Sequence, residues 1–208
     1  MQKFNDFQRS GFTLAAACGL IGITYGVFAD TAGLSLLQAS ALSILTFTGA
    51  SQFAAVSVID GGGNPAAAVS SALLLSARNA LYGPVITKSL NKGKLNRALA
   101  AHFVIDETIA IASAQETSKD SRDSFWFTGI SLFIFWNIGT ILGVLLGGVL
   151  KDPGAWGLDA AFPAAFVALI IPHVRTREGK ITAIAVSYTH LRAHETRHDL
   201  VCRLLLEK

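Results

Sequence analysis

Long uncharged windows alternate with short polar loops along this chain. Residues 12–29, FTLAAACGLIGITYGVFA, carry no charge. As a helix they are about 27 Å long, close to one hydrocarbon thickness. Residues 31–59 lie uncharged between Asp30 and Asp60. Residues 66–87 are apolar except for Arg78 and Asn79, and residues 98–114 form a shorter run holding His102, Asp106 and Glu107. Residues 125–150 carry Trp126, Trp136 and a glycine-rich end. Residues 155–174 have Asp159 near their start and Pro163 and Pro172 inside. A last apolar start, Ile181 to Val186, stops after barely two turns. The punctuation between these windows is a glycine turn, Asp60 to Asn64, with a helix start at Pro65, then a basic loop at 88–97. A polar loop of mixed charge follows at 115–124, a turn at Lys151 to Gly154, and a basic stretch at 175–180. The pattern predicts an all-α, polytopic helical membrane protein with about six apolar segments.

Two of those segments have polar middles. The centre of 31–59 reads Thr46-Phe47-Thr48-Gly49-Ala50-Ser51-Gln52-Phe53, where a plain anchor would carry leucine. In hydrocarbon such groups are costly unless they find partners. If all six segments span and the N-terminus is cytoplasmic, seven Lys/Arg fall inside and five outside, which does not discriminate. If 31–59 and 98–114 each enter and leave on one side, eleven fall inside and one outside, as the positive-inside rule requires. The sequence therefore predicts one or two discontinuous or re-entrant segments.

Composition agrees with this class. Only 15% of the 208 residues are charged, against about 25% in soluble domains. The net charge of +3 sits largely in loops, where it sets orientation and does not point to nucleic acid. Cys18 and Cys202 form no disulfide framework. The first apolar run starts at Gly11 and continues too long for a signal-peptide core, so no cleavable leader is expected.

The candidate chemistry lies in three successive segments. Gly49, Ser51 and Gln52 lie in the polar middle of the first. Arg78 stands among apolar residues in ALLLSARNALYGP, and an ionisable group there is a functional candidate by default. It can pair with Asp106 or Glu107, or take a substrate carboxylate on its planar fork. A purely structural ion pair, or snorkelling from a segment end, accounts for it equally well. Asp106 and Glu107 point about 100° apart on a helix, so they are not an acid dyad. His102 and Asp106, four apart, would share a face and could relay a proton. Asn79, Tyr82 and the following Gly83-Pro84 suggest a kinked or unwound point. Tyr25 and Gly26 are weaker candidates of the same type. Small residues in such segments also serve simply to let helices approach closely.

Four pieces, GITYGVFADTAGLS, TFTGASQFAAV, SARNALYGPVI and AHFVIDETIAIA, resemble the AzlC family, the large subunit of bacterial branched-chain amino acid exporters. They occur in the family's order over most of residues 10–175. The resemblance implies a multi-pass permease of the bacterial inner membrane, not an enzyme. It implies export of leucine, isoleucine, valine or related small amino acids, and a small hydrophobic AzlD-like membrane partner. By position, Gly49, Ala50, Ser51, Gln52 and Phe53 match the first motif, Arg78, Leu81, Tyr82 and Gly83 the second, and Asp106 and Glu107 the third. Many relatives carry histidine after the arginine, where this chain has Asn79. No cofactor or metal is implied.

The chain changes character at Ser187. Residues 187–208 hold three of the five histidines and resemble a read-through peptide found at the ends of fragmentary gene predictions. The expected division is an AzlC-like transport domain at 1–186, incomplete at its C-terminus, and a non-native tail at 187–208. The tail contains His194-Glu195-Thr196-Arg197-His198, an H-E-x-x-H match, which makes a zinc metalloprotease a remote alternative. A third ligand and a cleft are not evident. A non-transporting membrane scaffold or partner subunit is the other competing class.

Overall fold

In the computed structural model the described residues are 6–87, 90, 93–149, 173–185 and 187–188, and all regular elements among them are helical. They fall into two units, Met1–Phe162 and Pro163–Lys208.

The first unit is framed by two long helices, α1 (Asp6–Thr31) and α8 (Ser118–Gly147). Among the described residues these two helices are the ones long and apolar enough to cross a membrane. They run parallel: Gly11 faces Thr128, Gly19 faces Phe135, Gly22 faces Trp136, Gly26 faces Thr140 and Asp30 faces Gly147. Glycines on both sides bring backbone against backbone, the small-residue route to close packing where lipid removes the hydrophobic drive between helices. The buried face of α8 mixes hydroxyls and glycines with Phe125, Leu132, Trp136 and Val144, and its outer face is apolar. Ser121, Ser124, Thr128 and Thr140 are buried, while Ile130, Ile134, Ile138 and Leu142 are exposed. Hydroxyls turned inward and branched apolar side chains turned outward suit a lipid-facing helix.

The stretch 31–59 is two helices, α2 (Leu36–Leu45) and α3 (Gly49–Asp60). Gly33, at φ 83°, ends α1 with the Leu34 amide donating to the Ala29 carbonyl. Ser35 and Gln38 then form a reciprocal capping box that starts α2. α3 turns through Gly61 to Gly63 into α4 (Pro65–Ser76), whose N-cap Asn64 accepts from the Ala67 amide at 2.8 Å. The segment 66–87 is likewise discontinuous. A 310 turn at Ala77–Tyr82 interrupts it before α5 (Gly83–Thr87), as the expected unwound point near Asn79 and Tyr82 requires.

Four expectations change. Within 98–114, α6 (Lys94–His102) and α7 (Asp106–Ser113) are separate helices, so His102 and Asp106 do not share the helical face expected of them. Residues 115–124 are not a loop. Thr117 caps α8 by accepting from the Asp120 amide, so α8 begins at Ser118 and carries its charged first turns beyond the apolar part. The basic loop ends early, at Lys94. Three of the apolar segments, 31–59, 66–87 and 98–114, are broken helices, where one or two were expected. The apolar run 155–174 falls almost wholly outside the described residues.

In the second unit the described residues are a 310 turn at His173–Arg175 and helical residues at 177–185. Thr176 starts the helix, accepting from the Gly179 amide at 3.0 Å. The zinc-motif histidines of the tail, His190, His194 and His198, lie outside the described residues.

Candidate functional site

The broken segments 31–59 and 98–114 bring their breaks together beside α8. α2 touches α1 through Ala39, whose carbonyl accepts from the Tyr25 hydroxyl at 3.4 Å, and α8 through Ser43, whose hydroxyl lies 3.3 Å from that of Thr140. The break then places Phe47 against Phe133, ring centroids 5.2 Å apart. α3 returns toward the C-terminal end of α8: Gly49 and Gln52 meet Trp136, and Phe53 packs on Tyr25 and Phe28. The contacts therefore descend to Phe133 and climb back. The second broken segment arrives from the other end of α8. His102 and Phe103 meet Phe133, and α7 runs back so that Ile109 and Ala112 join Phe125 in one apolar cluster. Phe47 from one break packs on His102 and Phe103 from the other, each at 5.9 Å.

Each break is held by one side chain. Thr46 and Thr48 leave the helical region, and the freed carbonyls of Ser43 and Thr46 accept from Gln52 Nε2 at 3.4 and 2.6 Å. Gln52 Oε1 accepts from the Trp136 indole at 2.8 Å. Indole N–H only donates, so this contact fixes which end of the carboxamide faces which partner. Gln52 is fully buried and both ends are occupied by protein groups. At the second break Thr108 Oγ1 donates toward the Phe103 and Ile105 carbonyls, at 2.7 and 2.9 Å, and accepts from the Ile105 amide at 3.2 Å. Gly49 is required where it stands, since a Cβ there would lie 2.8 Å from the Trp136 ring.

The charged candidates meet at the start of α7. Arg78, on the 310 turn, forms an ion pair with Asp106 Oδ2 at 2.8 Å; their side chains are 48% and 41% exposed. The exposure matters, because a fully buried pair would have no face left for a solute. Tyr82 faces the Asp106 carboxylate, and Glu107 is half-buried near Cys18 of α1. Asn79 is half-buried on the same 310 turn. Two candidate atoms are buried without a hydrogen-bond partner: Ser51 Oγ and Asp106 Oδ1. Among the described residues no group of three or more His, Cys, Asp or Glu side chains could hold a metal ion.

The sequence pattern had not singled out Trp136, Thr108, Ser43 or Thr140. Trp136 carried the one available signal: a donor-only indole inside an apolar run needs an acceptor on another segment.

A family model described as AzlC protein matches residues 13–150. The chain is 25% identical over 154 residues to the branched-chain amino acid transport protein AzlC of Bacillus subtilis, covering 73% of this chain and 60% of that protein. It is 28% identical over 177 residues to the inner membrane protein YgaZ of Escherichia coli, covering 80% and 71%. It is 24% identical over 211 residues to an uncharacterized membrane protein of Helicobacter pylori, covering 99% and 92%. No solved structure matches.

Proposed function

The chain belongs to the AzlC family, and we propose that it is a multi-pass plasma-membrane permease exporting branched-chain or related small amino acids. In this reading it works with a small hydrophobic AzlD-type subunit. The observation that carries it is the meeting of two helix breaks at Phe47 and Phe103, with the Arg78–Asp106 pair on the flank. Broken helices at membrane depth are tolerated where they are buried or line a solute path, and transporters place substrate there. Phe47, Phe103 and Phe133 supply apolar surface for a branched side chain. The Arg78–Asp106 pair and Glu107 supply the charged surroundings for its backbone groups.

Reconstituted in liposomes, the full chain with its small partner subunit is expected to exchange labelled leucine. Arg78→Ala should lower that exchange at least about tenfold, the scale of one charge-assisted contact, with the amount of inserted protein unchanged. No leucine exchange by the unaltered protein would refute the reading. Lost assembly with unaltered flux per inserted molecule would indicate a scaffold.

The descent and return of contacts along α8 support a topology in which 31–59 and 98–114 are re-entrant. On a cysteine-free background, Gly61→Cys and Ser118→Cys should then label from opposite faces of the membrane. Six full crossings would put both on the same face.

A further inference from the structure

The two breaks differ in which end remains open. Their carbonyl ends are alike: Gln52 covers those of Ser43 and Thr46, and Thr108 covers those of Phe103 and Ile105. Their amide ends are not. The first turn of α7 carries Asp106 and Glu107, so that helix supplies carboxylates to its own positive end. The first turn of α3, Gly49 to Gln52, carries no acid, and its N-cap Thr48 makes no side-chain capping bond. The Ser51 and Gln52 amides donate to the Thr48 carbonyl, at 3.1 and 3.2 Å, which leaves the Gly49 and Ala50 amides as an anion-attracting end with no counter-charge of its own. A second observation lies at that end. Ser51 is fully buried, and its hydroxyl has no partner. Helical side chains lean toward the N-terminus of their helix, so this hydroxyl leans toward the open amides.

Asp106 Oδ1 is the complementary case, an inaccessible carboxylate oxygen without a partner while Oδ2 holds Arg78. One orphan donor stands at the first break and one orphan anionic acceptor at the second, and the Phe47–Phe103 contact joins the two breaks. A ligand that satisfies both carries an anion and a cation on one small frame. We propose that the N-terminal end of α3, through the Gly49 and Ala50 amides and the Ser51 hydroxyl, holds the carboxylate of a zwitterionic amino acid whose ammonium sits on Asp106 Oδ1. This assignment rests on the permease reading and gives the substrate a direction in the site. Arg78 then acts by orienting Asp106.

The test separates binding from flux. Equilibrium binding of labelled leucine to the full chain in detergent is competed with leucine, with 4-methylpentanoate, which lacks the ammonium, and with 3-methylbutylamine, which lacks the carboxylate. Ser51→Ala should weaken leucine and 4-methylpentanoate about tenfold and leave the amine unchanged. Asp106→Asn should weaken leucine and the amine and spare the acid. Because Asp106→Asn also releases Arg78, Ser51→Cys serves as the independent check; with its weak S–H donor it should fall between serine and alanine. Unchanged leucine affinity in Ser51→Ala, equal losses for acid and amine, or no leucine binding by the unaltered chain would overturn the assignment. Leucine binding with this pattern but without flux would uphold the assignment and count against the permease reading.

Discussion

Gly143→Val is expected to leave little folded protein. A Cβ at Gly143 would strike the Ile23 carbonyl oxygen and lie 2.8 Å from the Gly26 Cα. The neighbouring contacts repeat the situation, with Gly139 against the Gly19 carbonyl and Gly26 against the Thr140 carbonyl. Every atom in the way is backbone, so no rotamer change relieves the clash and the helices must separate. Overpacking usually costs ~1–3 kcal/mol when side chains can yield; here the cost should exceed that range. Without a hydrophobic drive between helices, the lost contacts have no substitute. In detergent, Gly143→Val should lose most of its monodisperse size-exclusion peak, with Gly143→Ala intermediate. Gly148→Val is the control, because the nearest atoms to a Cβ there are 3.9 Å away. A wild-type melting temperature for Gly143→Val would mean that α1 and α8 do not pack on these faces.

Much of this frame was legible from local pattern. The uncharged windows located α1 and α8, and the glycine turn before Pro65 located the start of α4. The polar middle at Thr46 to Gln52 located the first break, because a run of hydroxyls and glycine is poor membrane-helix sequence. Arg78 was expected to meet Asp106, Glu107 or a substrate carboxylate, and of these the pattern could not choose Asp106, which the ion pair shows. The basic-residue count marked 98–114 as a discontinuous segment too, but where it breaks was not legible. Phe103, Val104 and Ile105 include no glycine or proline, and what holds the break open is the Thr108 hydroxyl turned back on the Phe103 and Ile105 carbonyls. Charge misled at 115–124, since a helix that outruns the apolar layer shows the same polar residues as a loop. Gln52 was read only as a group that could meet substrate. Its partner Trp136 lies 84 residues away, beyond the reach of any local pattern.

Gln52→Leu should destabilise the protein by about 2–5 kcal/mol, because it strands two buried groups that each cost ~1–3 kcal/mol when unpaired. One is the Trp136 indole N–H and the other the Thr46 carbonyl. Trp136→Phe should cost less, since it strands only Gln52 Oε1 and leaves the bond to Thr46 in place. The double variant should fall short of the sum by ~1–2 kcal/mol, because the shared bond can be lost only once. Melting temperatures of the three variants in detergent measure this coupling. Additive losses would mean that the indole and the carboxamide do not interact. The flux consequence follows from position. Gln52 belongs to α3 but closes the end of α2, and Trp136 fixes its orientation from α8, so one carboxamide ties three helices at the break. Releasing it frees the carbonyls of Ser43 and Thr46 and lets the last turn of α2 unwind. Leucine exchange per folded molecule should therefore fall further in Gln52→Leu than in Trp136→Phe. Equal flux in the two would place the function of this break elsewhere than in the carboxamide.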